Sequence, residues 1–194
     1  MNKREEQRNK RREQILSCSL DLFTSRGYEA TKIRDIAERL NISTGLFFNY
    51  FESKEKVYEE LVQIGTQAPK SLLMQSIGIS SPIVVFEQMA GYILDALRQD
   101  LFTSRMFLLM AQAMKSEGTP EGVRRIVSDF DMVGPAAELI KKGQELGEIR
   151  EGDPVALSAT FWGAVQGTAE NLAIYPELPL PKAEWLVDIL RAKK

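Results

Sequence analysis

The chain has no histidine and one cysteine, Cys18, in 194 residues. Without histidine, Ser-His-Asp and Cys-His catalysis and His-ligated metals are excluded. A lone thiol also excludes Cys₄ zinc sites and intrachain disulfides, and it is compatible with a reducing cytoplasm. Long apolar runs are missing as well. The window 106–114 is too short to span a bilayer, and 155–173 contains Ser158, Gln166, Thr168, Glu170 and Asn171. A span needs about 20 predominantly apolar residues. No apolar stretch follows Lys3-Arg4, so no secretory leader is expected. Strand signals are absent too: no polar–apolar alternation of strand length and no Asn-Gly or Asp-Gly turn. No internal repeat or low-complexity tract occurs. These absences lead to the expectation of a soluble, cytoplasmic, all-α protein with no catalytic residue, metal or cofactor.

Composition is otherwise that of an ordinary globular chain, 44% hydrophobic and 27% charged. The net charge of −2 argues, taken alone, against a nucleic-acid partner. Its distribution reverses that. Residues 1–54 carry eleven Lys/Arg against eight Asp/Glu, and residues 55–194 carry fourteen against nineteen. The first twelve residues alone hold Lys3, Arg4, Arg8, Lys10, Arg11 and Arg12 against Glu5 and Glu6. Such an arm is basic enough to track phosphates, with Lys10-Arg11-Arg12 the nearest to the body of the domain.

Apolar spacing predicts a first helix over 5–26, with Ile15, Leu16, Leu20 and Phe23 on one face and Gly27 as its stop. Thr31 is expected to cap a second helix, Ser43 a third and Ser53 a fourth that starts at Lys54. Gly65, Pro69 and Gly78 interrupt the pattern. Further helices are predicted near 82–99, 104–115, 120–147, 154–173 and 181–192. Gly134-Pro135 should kink or split the helix at 120–147, and Asp153 should cap the helix at 154.

Residues 31–51 therefore read as two short helices joined tightly at Asn41-Ile42, a helix-turn-helix. In such a unit the second helix lies in the major groove with its first residues on base edges. Ser43, Thr44 and Gly45 are small enough for close approach to a phosphate. Asn49 suits bidentate pairing with adenine, and Leu46 suits a thymine methyl. Arg34, Tyr50 and Lys54 are candidates for phosphate contacts, Lys54 at the positive end of the fourth helix.

The string Thr31-x-x-Arg34-Asp35-Ile36-Ala37, Ile42-Ser43-x-Gly45-x-Phe47-Phe48-x-Tyr50-Phe51, Ser53-Lys54-Glu55 resembles the DNA-binding domain of tetracycline-repressor-type (TetR family) regulators. Leu22-Phe23-x-x-x-Gly27-Tyr28-x-Ala30-Thr31 resembles the same family. The likeness is specific over about residues 12–60 and weak beyond. There it rests on helical pattern and on Gly143-Gln144-x-x-Gly147-Glu148-Ile149. Three positions depart from the family: Phe48 stands where Tyr is usual, Asn49 where His is frequent, and Leu46 where Thr is frequent. The operator sequence therefore does not transfer from a relative.

The resemblance implies three regions: a DNA-binding domain at 1–53, a connecting helix at 54–65, and a helical effector-binding and dimerisation domain at 66–194. It also implies partners: a double-stranded DNA operator, a small-molecule effector and a second copy of the chain, with no membrane. Two long C-terminal helices would pair across the twofold through small residues from Ala159 to Ala169, with Trp185, Leu186 and Ile189 on the partner face. An apolar pocket would draw on the aromatic, Met and polar residues Phe86, Met89, Tyr92, Met106, Met110, Gln112, Phe130, Trp162 and Gln166. The rival reading is a helical carrier or enzyme with a relic helix-turn-helix. It finds no paired carboxylates and no Gly-rich phosphate loop to work with.

Overall fold

The computed structural model describes residues 3–75 and 80–192. Ten helices follow one another: α1 (Lys3–Arg26), α2 (Ile33–Arg39), α3 (Thr44–Phe48), α4 (Lys54–Gln75), α5 (Pro82–Gln99), α6 (Leu101–Lys115), α7 (Glu121–Ser128), α8 (Val133–Glu145), α9 (Pro154–Ile174) and α10 (Ala183–Val187). The only extended pairing among the described residues is one antiparallel bridge, Ile149 with Arg191. The fold is all-α. No described helix is long and apolar enough to cross a membrane, and no described cluster of Cys, Asp and Glu could hold a metal ion.

The chain forms two compact units. One comprises residues 1–66 with 108–129, the other 67–107 with 130–194. In the first, Ile15, Leu20, Leu22 and Phe23 of α1 are buried with Ile36, Phe47, Phe51, Val57, Leu61 and Val62. In the second, α8 and α9 share the most extensive packing, and α5 and α10 complete the layer around Phe86, Phe161 and Trp162. Phe86 and Phe161 meet edge to face at 5.0 Å.

Helix ends follow local chemistry. Gly27 takes φ +90, a conformation that costs other residues a Cβ clash, and its N–H donates to Phe23 O. Ser53 Oγ accepts from Lys56 N, and Asp153 Oδ1 accepts from Ala156 N, as their positions predict. Thr31 does not cap α2. It is fully buried and its Oγ1 donates to Gly27 O at 2.8 Å; Lys32 is the N-cap, and Asp35 accepts from the Lys32 N–H.

Three other elements differ from the sequence reading. Helix α4 continues through Gly65 and Pro69 to Gln75, since Pro69 removes one intrahelical bond without ending the helix; Gly78 lies outside the described residues. The break expected at Gly134-Pro135 falls earlier, at Asp129–Met132. Pro135 thereby sits in the first turn of α8, where its missing donor costs nothing. The last helix is only Ala183–Val187, because Leu190 and Ala192 leave helical bonding to pair with the 148–150 backbone.

That pairing explains Gly143-Gln144-x-x-Gly147-Glu148-Ile149. Gly147, at φ +70, ends α8: its N–H bonds Gln144 O and the Glu148 N–H bonds Gly143 O. Gln144 Nε2 donates to the carbonyls of Arg150 and Gly152. Glu148 Oε2 accepts from Ser81 Oγ at 2.8 Å and from Ile83 N at 3.2 Å, so a distant carboxylate satisfies the start of α5.

Candidate nucleic-acid interface

Helices α2 and α3 are joined by a turn that the sequence dictates. Asn41 sits at φ 52, a left-handed conformation that Asn tolerates better than most residues. Its N–H bonds Glu38 O and the Ile42 N–H bonds Ala37 O at 2.9 Å, closing α2. Ser43 then caps α3, accepting from Leu46 N at 3.1 Å. Phe47, fully buried, anchors α3 to the core and packs near Phe51.

With Phe47 turned inward, the opposite side of α3 faces solvent. Ser43, Thr44, Gly45, Phe48 and Asn49 are exposed, while Leu46 and Tyr50 are half-buried. Asn49 is the C-cap of α3, because the helix is only five residues long. Its side-chain amide bonds no other described residue. Nothing but Ser43 Oγ lies within 4 Å of a Cβ built on Gly45, so this backbone is open to approach. Arg34 is exposed on α2 and meets Glu38 at 3.5 Å, a surface pair of little stabilising value. Phe48, missed as a candidate, is 52% exposed, an unusual position for a phenylalanine. An apolar ring in the middle of the polar run 43–49 is the signal that could have identified it.

Lys54 departs from the expectation. Its Nζ turns inward and donates to Tyr28 O at 2.7 Å and to Thr31 O at 2.8 Å, over the Tyr28 ring at 4.0 Å. Burial lowers its pKa. Two of its three protons thus pin the α1–α2 connection, so its main role is to hold the headpiece together. Arg12 is likewise committed, pairing with Glu60 of α4 and covering the Phe51 ring at 4.7 Å. Arg39 pairs with Asp21, tying α2 to α1.

The nine pocket candidates are divided between the two units. Phe86, Met89 and Trp162 belong to the core of the second unit, and Met106 is buried there too. Tyr92 is 57% exposed because it falls off the α5 stripe of Phe86, Met89, Ala90, Ile93 and Leu97. Phe130 is half-buried. Gln166 Nε2 donates to Phe107 O at 3.0 Å and to Glu170 Oε1 at 2.6 Å. Met110 and Gln112 fall in the other unit, where Gln112 Nε2 reaches Thr24 O at 3.4 Å. A cavity of about 340 Å³ in the second unit is lined by Leu97, Arg98, Leu101, Leu172, Leu178 and Leu180 among others, and by none of the nine. The Trp162 indole N–H is buried without an acceptor among the described residues.

Residues 15–61 match the model of the bacterial regulatory proteins of the tetR family. The uncharacterized HTH-type transcriptional regulator YfiR of Bacillus subtilis is 24% identical over 175 residues, 89% of this chain and 84% of that protein. The IcaR negative transcriptional regulator of the Staphylococcus aureus biofilm operon icaADBC is 28% identical over 91 residues, 47% of this chain and 44% of that one. The crystal structure of AibR in complex with isovaleryl coenzyme A and operator DNA shares the fold, with a TM-score of 0.68 at 18% identity over 92% of this chain and 94% of that one. The family match falls on the headpiece whose turn, cap and exposed α3 face are described above, so residues 15–61 are similar to the bacterial regulatory proteins of the tetR family.

Proposed function

We propose that the chain is a ligand-responsive repressor that binds a pseudo-palindromic operator as a homodimer and is released by a largely apolar small molecule. The observation that carries the reading is the exposed face of α3: Thr44, Gly45 and Asn49 face solvent while Phe47 locks the helix to its core. Residues 1–53 read DNA, 54–65 connect, and 66–194 bind effector and partner. Arg34, Ser43, Leu46 and Tyr50 complete the reading surface, with Lys54 supporting it from behind. Repression is supported by the likeness to IcaR, and a small-molecule effector by the isovaleryl coenzyme A in the AibR complex. For release, the effector must bind the DNA-incompetent state more tightly, with a coupling of about 1–3 kcal/mol.

The test is selection of bound fragments from the source genome, followed by footprinting and titration of the recovered duplex. A twofold-symmetric footprint and a steep fall of affinity with salt are expected. Replacing Asn49 with Ala should weaken binding to the selected fragment about 10–100-fold, the value of a bidentate base contact. It should leave binding to mixed-sequence DNA and the oligomeric state unchanged. Equal affinity of the variant for the selected fragment would remove Asn49 from base reading. Affinity independent of salt would sink the operator reading itself.

A further inference from the structure

The basic N-terminal segment is not a loose arm. Residues from Lys3 onward are helical and continuous with the buried part of α1. All of residues 3–10 are exposed. Placed at about 100° per residue, the side chains before Ile15 separate by sign. Lys3, Arg4, Arg8, Lys10, Arg11 and Arg12 fall within an arc of roughly 200°, and Glu5, Glu6 and Glu13 occupy the remainder. A helix stabilised chiefly by its own ion pairs would interleave the signs at i and i+4. Here Lys3, Arg8, Lys10 and Arg11 make no ion pair with another described residue.

The direction of this face is fixed at its inner end. Arg12, at one edge of the arc, lies over Phe51 and pairs with Glu60. Phe51 follows the exposed Asn49 and the half-buried Tyr50 at the end of the proposed reading surface. The basic arc therefore continues from the α3–α4 junction outward along α1. From Lys3 to Arg11 it extends about 12 Å, at ~1.5 Å per residue.

We propose that this face of α1 is a second DNA-contacting surface, which tracks the phosphate backbone flanking the half-site read by α3. The inference rests on the DNA-binding reading above. Charge complementarity and continuity with the reading surface select a nucleic-acid backbone as occupant. A lipid surface is disfavoured because residues 3–14 contain no apolar side chain to insert. Contacts of this kind position the protein and carry no sequence information.

The test replaces Lys3, Arg8, Lys10 and Arg11 together with Gln, a good helix former, leaving Arg4 and Arg12 in place. Binding is measured by fluorescence anisotropy against salt, on the selected fragment with its flanks and on a mixed-sequence duplex. Each phosphate no longer neutralised lowers the salt slope by about 0.9. The expected result is a slope reduced by about 2–3 and affinity lowered on the order of tenfold or more, by the same factor on both duplexes. Helix content by circular dichroism should be retained. An unchanged slope overturns the proposal while leaving the regulator intact. Weakening confined to the selected fragment overturns it too, since that would be base reading. If the unmodified chain itself shows no salt-dependent DNA binding, the proposal falls together with the function on which it rests.

Discussion

At the scale of single residues, the informative positions are those where one side chain settles two questions. Lys54 reads from sequence as an exposed cation at a helix start. In the structure its donors are taken up by two carbonyls of the α1–α2 connection, because Tyr28 offers a ring beneath it. Tyr28 also stacks on Tyr58 at 4.7 Å. Its phenol is raised far above the ordinary value by burial first and then by Glu55. Burial raises Tyr58 as well. A raised phenol keeps its proton in the folded chain at a pH where the unfolded chain has lost it. The folded state then binds more protons, and stability falls as pH climbs above about 10. Lys54 acts oppositely, since its lowered pKa makes stability rise with pH in the window just below its usual value. Tyr28→Phe removes one phenol and leaves the stacking. Urea midpoints at pH 9 and pH 11 should therefore lie closer together in Tyr28→Phe than in the parent. Equal or wider separation would show that Tyr28 does not titrate as its burial requires.

At the scale of elements, close approach explains residues that propensity leaves unexplained. A Cβ on Gly143 would lie 2.5 and 2.7 Å from the Ile149 side chain and 3.2 Å from Pro82 Cβ. Ile149 is 2% exposed and cannot move aside. Gly143→Ala gains about 1 kcal/mol of helix propensity but pays for overpacking. A net destabilisation of about 1–2 kcal/mol is expected in denaturant titration, whereas Gly163→Ala, with nothing within 4 Å of its Cβ, should be neutral or stabilising. Against this background the sequence was legible wherever the signal is local. Gly27, Ser43, Ser53 and Asp153 stand at the helix ends their chemistry predicts, and the α2–α3 unit lies where the caps place it. It was illegible wherever the partner is distant. Nothing in the neighbourhood of Thr31 shows that its hydroxyl is needed by Gly27 and Leu22. Nothing near residue 190 announces pairing with the 148–150 strand-like turn, which is why the last helix stops early. The exposed face of α3 was visible because exposure there follows from the burial of Phe47. For the pocket candidates the sequence offers no such handle, because aromatic and Met residues at helical spacing mark core and cavity lining alike.

At the scale of the whole molecule, a net charge of −2 conceals a basic first 54 residues and an acidic remainder. Under the proposed function, that asymmetry would keep residues 55–194 from competing for phosphates and leave DNA to the headpiece. If, as proposed, one headpiece reads one half-site, a symmetric operator requires two chains with heads about 34 Å apart. The second unit offers a surface for that pairing on α9. Its buried side carries Phe161, Trp162, Val165, Ala169 and Leu172, while Val155, Ala156, Ala159, Gly163 and Ile174 are exposed. Small residues at i and i+4 let two helix backbones come close. Trp185, 61% exposed, fits the partner face, whereas Leu186 is buried in its own core and does not. Gly163 separates these roles, because the single chain leaves space for a side chain that a partner helix would not. Gly163→Leu should keep the thermal stability of the isolated chain at low concentration. In sedimentation it should shift the assembly from dimer to monomer, and operator affinity should fall with it while the acidic half and the headpiece stay folded. A Gly163→Leu protein that still sediments as a dimer and still protects a symmetric site would move the interface off this face of α9.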